Sequence, residues 1–121
     1  MTLALPWPPR ELSPNARAHW SKKSKLAKRY RRTCHLLAYD AGLKAPPGRI
    51  KLVLEFVPPD RRHRDDDNLL AAFKAGRDGL ADALKIDDHR FVTTFSVSDE
   101  CTPGGAVRVS IEALEVADAD C

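Results

Sequence analysis

Two groups of side chains in this sequence could do chemistry. Asp65-Asp66-Asp67-Asn68 follows a cationic run, Arg61, Arg62, His63 and Arg64, and Asp87-Asp88-His89 stands one helix-length further on. Clustered aspartates repel one another unless a cation sits among them. Magnesium prefers such hard oxygen ligands, keeps several waters and often binds through one or two carboxylates. A site of that kind activates water near a phosphate and stabilises the leaving oxygen. The neighbouring arginines would attract a phosphate backbone. The plainer roles are an N-cap for Asp66 or Asp67 and a polar turn for Asp87-Asp88. No Ser/His/Asp or Cys/His arrangement is evident, and no Gly-rich phosphate loop.

The elements that must position these groups follow from pattern. Thr2 to Leu5 reads as an edge strand stopped at Pro6, and residues 6–20 as an ordered, Pro-rich loop. Ser21 is the expected N-cap of a helix running to Tyr39 or Asp40, with Gly42 as its stop. Leu26, Tyr30, Cys34 and Leu37 recur on one helical face, and Lys22, Lys25, Arg29 and Arg32 on another, flanked by Lys28 and Arg31. Three lysines in the first turn oppose the helix dipole, which stability alone would not select. Ile50 to Pro58 alternates as a strand. A second helix is expected from a cap at Asp66 or Asp67 to about Leu84, with Leu69, Phe73, Leu80 and Leu84 in the core and Gly76 and Gly79 permitting close packing. Lys85 to His89 reads as a turn. Phe91 to Val97 and Ala106 to Leu114 then read as an antiparallel hairpin turning at Thr102-Pro103-Gly104-Gly105. Residues 116–121 read as a frayed tail. The expectation is one α+β domain over residues 1–121, in the order β-α-β-α-β-β with a mixed sheet.

One distance is at issue. A helix of about 18 residues would hold its ends roughly 30 Å apart. The two aspartate groups meet only if that helix is short or starts late, if Asp87-Asp88 is carried back along the strand from Phe91, or if a second copy of the chain supplies one pair.

Composition bounds the rest. The chain has 121 residues, 43% hydrophobic and 31% charged, the balance of one globular domain rather than a disordered chain. It has no apolar run of membrane-spanning length, and neither a span nor a signal peptide is expected. Cys34, Cys101 and Cys121 fit neither a disulfide framework nor a CxxC metal site, so a reducing cytoplasm is expected. The net charge of +3 hides an asymmetry: residues 1–35 hold nine Lys/Arg against one acid, Glu11. Such asymmetry hints at nucleic acid. Trp20 is expected in the core, with stacking of His19-Trp20 on DNA as the alternative, and Trp7 is read in the same two ways. His89 is expected in solvent.

The stretch RRHRDDDNLLAAFKAGRDGLADALKIDDHRFV, residues 61–92, resembles the RusA family of Holliday-junction resolvases. Asp65, Asp67 and Asn68 match that family's DxDN motif, and Asp87-Asp88 its later DD pair. The opening LPWPPRELSPNARAHWSKKSKLAKRYR looks like its PWPP segment and basic stretch, so the resemblance spans roughly residues 3–114. It implies a small homodimeric, Mg²⁺-dependent endodeoxyribonuclease that cuts four-way junction DNA in recombination and repair, a role common in phages and prophages. It implies that the catalytic carboxylates fall on Asp65, Asp67 and Asp88, with Asp87 beside them as a further metal ligand, and that the two groups converge. The family's catalytic lysine falls on Ala71 here. Lys74, three residues on, is expected on the same face, leaning toward the helix N-terminus as a stand-in. Arg17, Lys22, Lys25, Lys28, Arg29, Arg32, Arg61, Arg62 and Arg64 would grip DNA through phosphates. The alternative is a junction-binding protein of the same fold without turnover.

Overall fold

The structure, a computed structural model, describes residues 2–114. The expected tail at 116–121 lies outside them. Its elements are β1 (Thr2–Pro6), α1 (Trp20–Asp40), β2 (Ile50–Val57), α2 (Asp66–Ala72), α3 (Lys74–Leu84), β3 (Phe91–Val97) and β4 (Ala106–Ala113). Single 3₁₀ turns occupy Arg10–Leu12 and Asp88–Arg90. The expected α+β domain with a mixed sheet is what forms.

One sheet carries the fold, in the order β1-β4-β2-β3. β2 pairs with β3 in parallel and with β4 antiparallel, and β1 forms the far edge against β4. The expected hairpin between β3 and β4 is therefore absent, because β2 lies between them. Parallel pairing of β2 and β3 needs a crossover, and α2 and α3 supply it. The alternation in β2 puts Ile50, Leu52, Leu54 and Phe56 on the helix-covered face, all fully buried.

α1 and α3 pack tightly because α3 has glycines where the helices cross. A Cβ on Gly79 would collide with the Arg31 carbonyl oxygen and stand 3.1 Å from the Cys34 Cβ. α1 buries Tyr30, Cys34 and Ala38. Leu37, expected in that stripe, is 38% exposed, since the buried face drifts by one position over the length of the helix. The Tyr30 hydroxyl donates to the Pro6 carbonyl at 2.6 Å and ties α1 to the end of β1. Apolar surroundings push the Cys34 thiol up to about 12, so this cysteine is packing rather than a nucleophile.

Three local expectations are corrected. His19, not Ser21, caps α1, its Nδ1 accepting from the Ser21 backbone N–H at 3.2 Å. Gly42 stops that helix as expected, at φ 75°. Asp65, not Asp66 or Asp67, caps α2. The second helix is two helices, pivoting at Phe73 with φ −82° and ψ −4°. The Phe73 ring is fully buried, edge-on to Tyr30 at 6.2 Å and Phe56 at 6.0 Å, and this enclosure fixes the pivot. Trp20 is not core: it is 75% exposed, at the first residue of α1.

Candidate functional site

The Asp87-Asp88-His89 group forms where the 3₁₀ turn leads into β3. Asp87 Oδ1 accepts from the His89 backbone N–H at 2.9 Å and meets His89 Nδ1 at 2.6 Å. These bonds, the backbone one first, hold the Asp87 carboxyl below its usual range. Asp87, with the charge of Asp88 behind it, holds the His89 imidazole above its usual value. One ligand atom from each of Asp87, Asp88 and His89 lies within 4.8 Å of the others. Two carboxylate oxygens and an imidazole nitrogen at that spacing suit a divalent cation. His89 is solvent-exposed as expected, its side chain 90% accessible.

Asp65 and Asp67 are not in that group, and because they open α2, where residues two apart point about 200° around the axis from each other, they go to different places. Asp65 Oδ1 is engaged in the cap, accepting from the N–H groups of Asp67 at 2.9 Å and Asn68 at 3.3 Å. It opens on a small depression with Trp7, Pro8, Pro9 and Asn68. Asp67 lines a different depression of about 480 Å³ together with Ala71, Lys74, Arg77 and Thr93. Asp65, Asp67 and the Asp87-Asp88 pair thus line three different depressions.

Arg77 links two of these places, and sequence reasoning missed it. Its Nη1 donates to Asp88 Oδ2 at 3.1 Å, its Nη2 to the Asp88 carbonyl at 3.2 Å, and its Nε to Thr93 Oγ1 at 3.1 Å. The guanidinium also covers the Phe91 ring, 5.4 Å from its centroid. One side chain thus connects the Asp87-Asp88-His89 group to the depression that holds Asp67 and Lys74. The signal available in sequence was its position, one helical turn after Lys74.

Lys74 shares a depression with Asp67, as the stand-in reading requires, but its ammonium does not lean back toward α2. It pairs with Asp78 at 3.3 Å, four residues on. Asp78 in turn lines a depression with Asp82, Asp87 and Asp88, a concentration of carboxylates also unforeseen. Arg31 enters there from α1 and holds Asp82 through two bonds of 2.7 and 2.9 Å. That pairing keeps the Asp82 carboxyl below its usual range.

The cations divide into engaged and free. Arg64 bonds Asp60 at 2.9 Å and lies 5.8 Å from the Trp7 ring centroid, so it helps organise its own loop. Arg62 stands 3.8 Å from the same carboxylate, and Lys22 3.6 Å from Glu11. Arg17, Lys25, Lys28, Arg29, Arg32 and Arg61 are exposed and make no ion pair among the described residues. Cys34 and Cys101 are free thiols. Among the described residues no helix is long and apolar enough to cross a membrane.

Fold and site together define a small α+β domain with an acidic group at one end of its crossover and, along its longest helix, a row of cations that make no ion pair among the described residues. No family model matches the chain. An uncharacterized protein of Xylella fastidiosa is 47% identical over 117 residues, an alignment covering 93% of this chain and 76% of that protein. The chain belongs to the same family as that protein.

Proposed function

We propose that this protein is a metal-dependent endodeoxyribonuclease of the RusA type, acting as a homodimer on four-way DNA junctions. The observation that carries the reading is the Asp87-Asp88-His89 group, three ligand atoms within 4.8 Å, joined through Arg77 to the depression of Asp67 and Lys74. The exposed cations Lys25, Lys28, Arg29 and Arg32 of α1, which make no ion pair among the described residues, and the DxDN and DD resemblance support it.

Asp87 and Asp88 would hold the Mg²⁺ through carboxylate oxygens, with Asp67 as the further carboxylate and His89 orienting Asp87 through their 2.6 Å contact. When bound, such an ion supplies an activated water and charge stabilisation at a phosphodiester. The chain's own residues do the rest. Arg77 fixes the orientation of Asp88. Lys74, released from Asp78, offers its ammonium to a phosphate oxygen. Lys25, Lys28, Arg29 and Arg32 hold the DNA arms by phosphate contact, without reading bases. A symmetric junction needs two matched nicks, and a two-fold dimer presents two equivalent sites.

The test is nicking of a synthetic four-way junction with Mg²⁺ by the parent chain and by Asp88→Asn. The parent should cut and the variant should bind without cutting. Failure of the parent to cut, with binding retained, would favour the second reading, a junction-binding protein without turnover. Ala71 at the lysine position and the commitment of Asp65 to a helix cap are the observations on that side.

A further inference from the structure

Trp20 joins no core cluster among the described residues. Burying a tryptophan is among the larger contributions a side chain makes to a core, yet this one is 75% exposed. It opens α1 beside His19, the two rings tilted at 33° with centroids 5.5 Å apart. His19 in turn lines a depression of about 610 Å³ whose cations are Arg10, Arg17 and Lys22. Its single acid, Glu11, is taken up by Lys22 at 3.6 Å, while Arg10 and Arg17 make no ion pair among the described residues. The Pro8-Pro9 segment and the 3₁₀ turn at Arg10–Leu12 hold this loop in place, with Leu12 donating its N–H to the Pro9 carbonyl at 3.0 Å.

An exposed ring beside a cation-lined hollow is the pairing that unpaired nucleotides require: a flat face for the base and positive charge for its phosphate. A paired base inside a duplex offers no free face. We propose that the Arg10-Arg17-Lys22 hollow, with Trp20 standing next to its lining residue His19, is a subsite for an unpaired nucleotide, the base stacking on Trp20 and the phosphate meeting Arg10 and Arg17. The inference rests on the proposed reading of the chain as a DNA-binding protein and deepens it: four-way and other branched DNA exposes bases where the arms part, and this subsite selects for that feature.

The experiment uses the full chain without added divalent cation, with oligothymidylate and a blunt duplex as probes. Oligothymidylate should quench tryptophan emission in the parent and lose that effect in Trp20→Phe, which leaves only half-buried Trp7. Trp20→Ala should weaken oligothymidylate binding roughly 5- to 150-fold, the span expected for one stacked base, while duplex affinity stays within about twofold of the parent. Trp20→Phe should recover most of the loss. The variants should fold, because the ring is exposed and Ala is a better helix former. Equal affinity of parent and Trp20→Ala for oligothymidylate would overturn the subsite. So would equal losses on single strand and duplex, or a Trp20 already shielded from acrylamide in DNA-free protein, which would mean a second copy covers it. A chain that cuts junctions with a silent Trp20 sinks the subsite alone. One that stacks thymidine on Trp20 but never cuts sinks the nuclease reading alone.

Discussion

Replacing Arg77 with alanine removes three hydrogen bonds in one step, two to Asp88 and one to Thr93. The ion pair is partly screened, the arginine side chain being 25% exposed and that of Asp88 39%. It therefore contributes about 1 kcal/mol, less than a dry charged bond. The Thr93 bond and the guanidinium over Phe91 add a similar amount. Together the loss is about 2 kcal/mol, which for a domain of this size lowers Tm by roughly 6–10 °C. Thermal unfolding followed by circular dichroism reads it. The second consequence is chemical: Asp88 loses the group that orients its carboxylate. On the proposed reading Asp88 is a metal ligand, and such a ligand without its supporting bond typically loses about 10–100-fold in affinity or activity, so calorimetric magnesium titration and junction nicking should both fall by that order. Arg77→Lys should keep the charge but not three bonds, and land between parent and alanine. An Arg77→Ala protein with the parent's Tm and the parent's magnesium affinity would refute the reasoning outright.

Gly79→Ala should destabilise by about 1–2 kcal/mol, because overpacking against the Arg31 carbonyl and Cys34 outweighs the gain of about 1 kcal/mol in helix propensity; denaturant titration checks it, and a more stable variant would mean the helices move apart freely. The Asp87–His89 pair should show in an NMR titration, with the His89 imidazole titrating above its ordinary value and returning toward it in Asp87→Asn. The sign follows: the raised His89 value stabilises the fold fully below about pH 6.5 and is lost as pH rises through the folded value, whereas the lowered Asp87 value stabilises above about pH 4 and is lost as pH falls through it. Lys25→Ala with Arg29→Ala should flatten the slope of log affinity for junction DNA against log salt by about 1–2 and leave Tm unchanged, both side chains being exposed; an unchanged slope would make that helix face mere solvated surface.

The sequence alone determined the elements whose causes are local. Alternation over Ile50 to Val57 put the right four residues on the buried face of β2, and Gly42 ended α1 because the chain must turn there with positive φ. The two glycines in the second helical segment were legible as a close approach, since a small residue in a helix has few other uses. The cations of α1 were legible as a face because helical spacing is a property of the chain itself.

What tertiary structure decided concerns partners far apart in sequence. β4 passes over the adjacent β3 to pair with β2, and nothing in either strand's own pattern specifies which edge it joins. The break at Phe73 answers to rings on α1 and β2, not to any breaker in the helix. The site shows the same division. The residue types at Asp65, Asp67, Asp87 and Asp88 signalled metal chemistry, but which of them meet depends on how the crossover folds. The Asp87-Asp88-His89 turn and the Asp65 cap are made between residues at most three apart, whereas only three-dimensional packing brought Arg77 to Asp88 and Thr93 and Arg31 to Asp82. Trp20 is the converse case: composition argues for burial, and the tertiary fold, with its core already filled by Tyr30, Phe56 and Phe73, leaves that ring in solvent. Side-chain type states what a group can do, while its neighbours, which decide what it does, come from segments that folding alone brings together.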